Sequence, residues 1–305
     1  GNSIASGGNY NTVVGDEAGT AITTGDENTL VGYVSGDAIT TGIRNVAVGS
    51  YALSTNVAGD QSVAVGHGAL FTQNPSGNAD MNNTAVGHDA GNQVTTGTEN
   101  TLIGALAGDA LTTGVENVAV GYQALSADTL GTGSVAIGRK ALLAQNFTTA
   151  TTSFNTAVGI VAGTSITTGI QNTLIGGIAG DALTDADENV AVGYAALSGD
   201  TLGSKSTAIG HAALATQNFT TATDSNNTAV GYNAGTAVTT GTSNTLLGTQ
   251  AGDALTTGSE NVAVGVQALS TEDAHGQNTA VGQQALRDLN AGATGNNTAV
   301  GHIAG

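Results

Sequence analysis

Cysteine and tryptophan are absent from the chain, and proline and methionine occur once each. Without cysteine the chain can form neither a disulfide nor a thiolate metal site. Aromatic residues make up only 3% of the sequence, so a core must be built almost entirely from Ala, Val, Ile and Leu. Because small side chains cannot fill a wide interior at native packing density, the composition predicts a thin, layered core.

Basic residues are also scarce, since five Lys and Arg stand against 23 Asp and Glu for a formal net charge of −18. An acidic chain of this kind repels nucleic acid and anionic membrane surfaces, so neither is an expected partner. The sequence also lacks a signal peptide and any apolar run of the about 18 to 20 residues that a membrane span needs. Because the chain begins and ends inside a repeat pattern described below, we expect a fragment of a longer chain, whose export signal and anchor lie elsewhere.

The sequence is rich in a five-residue motif, written NTAVG at residues 83–87, which occurs in seventeen copies from residues 11–15 to residues 297–301. The closing glycines differ in residue number by 17, 17, 17 and then 21, three times over, and finally by 17, 17, 17 and 19. Four motifs thus make a 72-residue super-repeat. Such periodicity predicts one repeat domain over residues 1–305. Its super-repeats span about residues 11–82, 83–154, 155–226 and 227–296, with a partial copy at 297–305.

Each motif has the period of two that is typical of a β-strand. The residue before the glycine is Val or Ile in every copy except Leu247, and the residue before that is Ala, Leu or, once, Val13. Both faces of the strand are therefore apolar or nearly so, and a strand that is buried on both faces needs a covering layer on each. One layer is the chain's own coil, and we expect a second chain to be the other. The alternative is a flattened monomeric coil that leaves the small Ala face at the surface.

The first and last residues of the motif have structural explanations. Asn opens fourteen of the seventeen copies, including Asn83, Asn155 and Asn227, and Ser62, Ser134 and Ser206 open the other three. Stacked coils about 4.8 Å apart allow identical amides to hydrogen-bond as a ladder, so we predict a structural ladder of these asparagines. The closing Gly indicates a bend that needs positive φ or a close approach of the backbone.

The motif occurs in several variants, which include SVAIG at residues 134–138, STAIG at 206–210, NVAVG and NTAVG. These variants resemble the repeat of the head domain of trimeric autotransporter adhesins, the YadA-like head. The resemblance covers residues 11–301 and implies a left-handed parallel β-roll that forms a homotrimer, with the motif strands facing the common axis. Combined with the periodicity, it predicts an all-β parallel β-solenoid of about 17 rungs, with 17-residue rungs in 72-residue super-repeats.

In function, the resemblance implies an adhesive segment of a surface fibre that attaches to host cells, matrix or surfaces through a protein or glycan ligand. The expected location is extracellular, at a cell surface, with anchorage in the outer membrane through other regions of the protein. Similar heads also occur in phage tail fibres, which leaves a receptor-binding or spacer segment of a virion as the alternative.

Residues for catalysis are not brought together by the repeat, so we expect neither an enzyme nor a cofactor. His67 and His88 lie on successive rungs, but two histidines without a placed carboxylate do not predict a metal site. The carboxylates of the Gly-Asp-Ala turns occur once per super-repeat, about four rungs apart, which is too far for a catalytic pair. These are Asp37, Asp109, Asp181 and Asp253.

Two other features of the sequence suggest binding surfaces, namely repeated threonines and clustered phenylalanines. The recurring Thr-Thr-Gly sequences form an interrupted array that could bind ice, although an ordinary strand and turn explains them equally well. All four phenylalanines lie in the long fourth segments of the super-repeats, where inserted residues often carry contacts: Phe71, Phe147, Phe154 and Phe219. We predict these loops as candidate partner-contact sites, with gap filling against a neighbouring chain as the alternative for Phe147 and Phe219.

Overall fold

A computed structural model describes residues 7–289 and 295–305 of the chain. The chain divides into two compact units, the first ending at Phe154 and the second beginning at Asn155. This boundary coincides with the predicted boundary between the second and third super-repeats. The single repeat domain over residues 1–305 stays a prediction.

The first unit consists of short parallel strands and turns. Its strands are β1 (Thr12–Val14), β2 (Thr29–Val31), β3 (Val46–Val48), β4 (Gly59–Asp60), β5 (Val63–Val65), β6 (Ala79–Asp80), β7 (Thr84–Val86), β8 (Thr101–Ile103), β9 (Val118–Val120), β10 (Gly131–Thr132), β11 (Val135–Ile137) and β12 (Thr151–Thr152). The eight three-residue strands are the motif strands.

The second unit is built in the same way. Its strands are β13 (Thr156–Val158), β14 (Thr173–Ile175), β15 (Val190–Val192), β16 (Gly203–Ser204), β17 (Thr207–Ile209), β18 (Thr223–Asp224), β19 (Thr228–Val230), β20 (Thr245–Leu247), β21 (Val262–Val264), β22 (Thr279–Val281) and β23 (Thr298–Val300). Nine of these are motif strands, which gives seventeen rungs in the two units together.

Within each unit the motif strand of one rung pairs in parallel with that of the next. For example, β7 pairs with β8 so that Ala85 lies beside Leu102 of the following rung. The predicted all-β parallel β-solenoid of about 17 rungs is thereby confirmed. Its handedness and the trimer stay predictions. Among the residues that the structure describes, none forms a helix with the length and apolarity to cross a membrane.

The long fourth segments add a second, shorter pairing. Their extra residues form two-residue parallel ladders, in which β4 pairs with β6, β10 with β12 and β16 with β18. The insertions are therefore hydrogen-bonded to the preceding rung.

The two faces of the motif strands differ in burial. The middle residue, Ala85 or Leu102 for example, is fully buried inside the coil, whereas the residues on either side of it are partly exposed. The alternative of a coil that leaves its Ala face at the surface is therefore wrong. Ala is inside because the interior is thin, and the larger Val and Ile side chains point outward.

The motif glycine meets both of the predicted requirements. Gly87 has φ of 143°, a region that L side chains rarely adopt. A Cβ at this position would lie 2.5 Å from the carbonyl oxygen of Gly104 in the next rung. The glycines stack in a column because the backbone of successive rungs approaches too closely for any side chain.

A second corner of the coil explains the super-repeat. The residue four places after the motif glycine has positive φ and is Gly in two successive rungs and Leu in the next two, as at Gly91, Gly108, Leu125 and Leu142. A Cβ on Gly108 would lie 2.7 Å from Leu102 Cδ2, because the strand leucine fills this corner. In the next rung the strand residue is Ala119 and the corner leucine fills the space. We call the two kinds Gly rungs and Leu rungs.

Candidate functional site

Each unit carries an apolar surface on the outer face of its motif strands, which we call the outer stripe. It consists of the first and third residues of each motif strand, which are Thr or Val and then Val, Ile or Leu. Ile103 and Ile137 remain 39% and 38% exposed, and none of the seventeen described motif strands contains a charged residue. Contiguous exposed apolar surfaces often mark interaction sites, so the outer stripe is a candidate for one.

The asparagine ladder lies directly before these strands. The backbone N–H of Asn100 donates to Oδ1 of Asn83 at 2.9 Å, and Nδ2 of Asn83 donates to the carbonyl oxygen of Gly97 at 2.7 Å. Asn155 and Asn227 accept the corresponding backbone N–H groups of Asn172 and Asn244. The amides thus tie each strand to the next rung and to its turn, so these residues have a structural role.

Serine replaces asparagine where a glutamine from the same rung enters the ladder. Gln73 is fully buried, and its Nε2 donates to Ser62 Oγ at 3.0 Å. Its Oε1 accepts a hydrogen bond from Nδ2 of Asn83 at 3.0 Å. The shorter serine leaves room for the glutamine, which continues the ladder in its place. The sequence analysis missed this pairing, although Gln73, Gln145 and Gln217 each follow a ladder serine by eleven residues.

The four phenylalanines divide by burial. The side chains of Phe147 and Phe219 are only 4% and 5% exposed, so they fill the interior of their own coil. Phe71 is half-buried, while Phe154 is 61% exposed and lies over Gly133. The partner-contact role of these loops stays a prediction, and Phe154 is the ring that is best placed to make such a contact.

The carboxylates of the Gly-Asp-Ala turns are partly withdrawn from solvent. Oδ1 of Asp37, Asp109, Asp181 and Asp253 is buried, and it has no hydrogen-bond partner among the described residues. Burial raises the pKa of each of these carboxyl groups, and hydrogen bonds from backbone amides offset part of that effect. The sequence predicted isolated carboxylates here but not their burial.

The threonine array has a structural explanation within the chain. The first hydroxyl of each pair donates to a carbonyl oxygen of the next rung, as Thr95 does to Thr112 at 3.1 Å and Thr112 to Thr129 at 3.0 Å. These hydroxyls are therefore engaged along the direction of stacking.

One cluster joins the two histidines that the sequence analysis paired with a carboxylate that it did not consider. The imidazole rings of His67 and His88 stack with centroids 5.2 Å apart. The carboxylate of Asp89 approaches both rings, with Oδ1 at 3.7 Å from Nδ1 of His67 and Oδ2 at 3.2 Å from Nδ1 of His88. The carboxylate whose absence argued against a metal site is thus the residue that directly follows His88.

A second cluster of the same residue types lies in the second unit. Nδ1 of His275 is 2.8 Å from Oε1 of the buried Glu272, and Asp273 is adjacent. His275 also donates its backbone N–H to Glu272, so the pair stabilises the local turn.

No family model matches the chain, and no curated protein matches it at a significant level. The parallel β-solenoid is compatible with a structural role in a fibre or in an adhesin-like protein. Because one fold supports many functions, a more specific role must be argued from its surfaces.

Proposed function

We propose that this chain is a segment of an extracellular surface fibre, in which three copies associate through their outer stripes and adhere to host cells, matrix or surfaces. The observation that carries the proposal is the uncharged, partly exposed Val and Ile surface of the motif strands. A strand that is apolar on both faces is buried on both in a stable assembly.

The packing of a second copy against the stripe is energetically favourable. Covering the remaining exposed area of a residue such as Ile103, which is 39% exposed, contributes roughly 1 kcal/mol. This contribution recurs in rung after rung. The resemblance to the adhesin head supports three copies as the arrangement, with the stripes facing a common axis.

Adhesion would rest on repetition rather than on one deep site. Many equivalent rungs in three copies present the same surface groups repeatedly, so weak contacts combine into high avidity. The role is one of binding and projection without catalysis, and it needs no cofactor. The exposed Phe154 is the proposed contact residue for a protein or glycan ligand.

The solution mass by light scattering tests the assembly. We expect a mass three times the 29.5 kDa of the chain. Replacing Ile103 and Val120 with Asp places charge in the stripe and should give a mass of one chain with an unchanged circular dichroism spectrum. Thr96→Asp with Thr113→Asp, at exposed turn positions, adds the same charge and should keep the assembled mass.

Two results would reject the assembly: a wild-type mass of one chain, or a stripe variant that still has the assembled mass. Adhesion is tested separately, by binding of the assembled protein to cells and to matrix proteins. Loss of that binding in Phe154→Ala, without a change in mass, is the expected result.

A further inference from the structure

We propose that His67, His88 and Asp89 form a binding site for one divalent ion of the zinc class on the surface of the first unit. The proposal is independent of assembly and adhesion, because all three residues belong to one chain and one unit.

The donor atoms have the spacing that a small metal ion requires. One ligand atom from each of the three residues lies within 4.8 Å of the others, and the two His–Asp separations are 3.2 and 3.7 Å. Zinc bonds of about 2.0 to 2.2 Å in a tetrahedral arrangement place neighbouring donors about 3.4 Å apart. An ion therefore fits between the side chains with small rotations of the exposed imidazoles.

The backbone is adapted to bring the carboxylate to this position. Gly68 and Asp89 occupy the same place in successive rungs, two residues after the motif glycine, and both have positive φ. A Cβ on Gly68 would collide with Oδ1 of Asp89. Of the seventeen motif copies, only the one at residues 62–66 is followed by glycine at the second position after the motif glycine. The missing side chain makes the space in which Asp89 turns toward His67.

The chemistry of the donors selects the class of metal. Two imidazoles and one carboxylate suit zinc and its late first-row neighbours, whereas calcium and magnesium prefer oxygen ligands. Three protein ligands leave a coordination position open. His67 and Asp89 also line a cavity of about 350 Å³, together with Tyr51, Phe71 and Asn92, which has room for water or a further ligand.

The second unit contains the same place without the donor set. Two super-repeats further on, His211 stands for His67, Tyr232 for His88, Asn233 for Asp89 and Ala212 for Gly68. His211 and Tyr232 stack with centroids 5.3 Å apart, so the scaffold is retained while one imidazole and the carboxylate are missing. This place is a natural negative control.

Calorimetric titration of the chain, without a polyhistidine tag, with zinc chloride tests the site. Magnesium in excess suppresses the binding of zinc to scattered carboxylates. We expect one zinc ion per chain, and at least tenfold weaker binding in Asp89→Asn and in His88→Gln, each with an unchanged circular dichroism spectrum. Asn233→Asp alone adds a carboxylate at the control place and should leave the stoichiometry at one.

The reverse experiment builds the site in the second unit. Combining Tyr232→His, Asn233→Asp and Ala212→Gly should raise the stoichiometry to two zinc ions per chain. The proposal is overturned if the wild-type chain takes up no zinc, or if Asp89→Asn leaves binding unchanged. It is equally overturned if zinc uptake is lost in Glu272→Gln instead, which would assign the ion to the second cluster.

Discussion

Gly rungs and Leu rungs fill the same coil in two different ways. In the second Gly rung of each super-repeat the strand supplies the large side chain, such as Leu102, and the corner residue Gly108 makes room for it. In the first Gly rung the strand residue is small, such as Ala85, and Leu102 of the next rung also fills the space at Gly91. In a Leu rung the strand residue is small, such as Ala119, and Leu125 fills the space from the corner. Either arrangement fills this corner of the thin interior with a leucine, from the strand or from the corner itself. Alternating them two by two gives a period of four rungs, and the longer fourth segment brings this period to 72 residues.

Gly rungs and Leu rungs also differ at the residue three places after the corner residue. Gly rungs have an apolar residue there, such as Leu111, whereas Leu rungs other than that of Leu286 have a buried polar one, such as Asp128 or Gln145. Asp128 accepts backbone N–H groups of Gly131 and Phe147 and a 2.6 Å hydrogen bond from Gln145 Nε2. Buried polar backbone groups need partners. The longer fourth segment begins in a Leu rung, so polar side chains supply partners for the backbone that it adds.

The largest expected effect comes from removing either leucine. Leu102→Ala and Leu125→Ala each leave a cavity, and each should lower the free energy of unfolding by about 2 to 5 kcal/mol. If the two packing arrangements are equivalent, the two losses should be of similar size. Urea unfolding at one fixed protein concentration measures both.

Leu106→Ala is the matched control, since Leu106 is only partly buried, and it should cost less than either core change. A loss in one kind of rung that is several times that in the other would show that one leucine carries the core and the other merely fills space.

A smaller effect is expected where the two kinds of rung share the ladder. Gln73→Leu removes the partner of Ser62 Oγ and one acceptor of Asn83 Nδ2, so it should cost about 1 to 3 kcal/mol. The fourth super-repeat contains the alternative pair, with Leu289 in place of the glutamine and Asn278 in place of the serine. There Asn297 donates to Asn278 Oδ1 at 3.0 Å.

Combining Gln73→Leu with Ser62→Asn therefore restores a complete ladder, and the double variant should unfold within about 1 kcal/mol of the wild type. Thermal and urea unfolding of both single variants and the double variant give the coupling free energy. Additive losses would contradict the interpretation that glutamine and serine replace asparagine as a unit.

Most of the architecture could be predicted because the repeats act as aligned copies of one another. The strand positions, the parallel stacking, the ladder residues 83, 155 and 227 and the role of the motif glycine all follow from period and residue type. The pairing of serine with glutamine was also visible at a spacing of eleven residues, but it is recognised only when the rungs are compared in pairs.

The histidine–aspartate cluster and the burial of the phenylalanines could not be predicted, because they depend on where side chains point from residues with positive φ and from inserted segments. Asp89 reaches His67 because its own φ is 52° and Gly68 has no side chain. Periodicity alone gives no such direction. The burial of Phe147 and Phe219 likewise depends on how the inserted segment folds back. Sequence patterns thus predicted the fold better than the surfaces.

The smallest expected effect concerns the carboxylates that distinguish the second Gly rung of each super-repeat. Burial raises the pKa of Asp37, Asp109, Asp181 and Asp253, so the folded state disfavours their ionised form. Relative to the ionised forms, the protonated carboxyl groups therefore favour the folded state. This contribution to the free energy of unfolding is fully present below the pKa of the unfolded chain and is lost as pH rises through the raised pKa of the folded state. The free energy of unfolding should therefore be larger near pH 4 than at pH 7. Changing all four to Asn should raise it at pH 7, by less than about 1 kcal/mol per site because the side chains are partly exposed, and should flatten its pH dependence.

Lowering the pH also reduces the repulsion among all the acidic side chains, which likewise makes the free energy of unfolding larger near pH 4. A charge-matched control is therefore required. Glu99, Glu116, Glu188 and Glu260 are exposed residues of the same acidic surface, and changing all four to Gln removes the same charge. Chemical unfolding between pH 4 and pH 7 should give a flatter profile for the Asn variant than for the Gln variant. Equal profiles would assign the pH dependence to net charge and would remove the buried carboxylates as its cause.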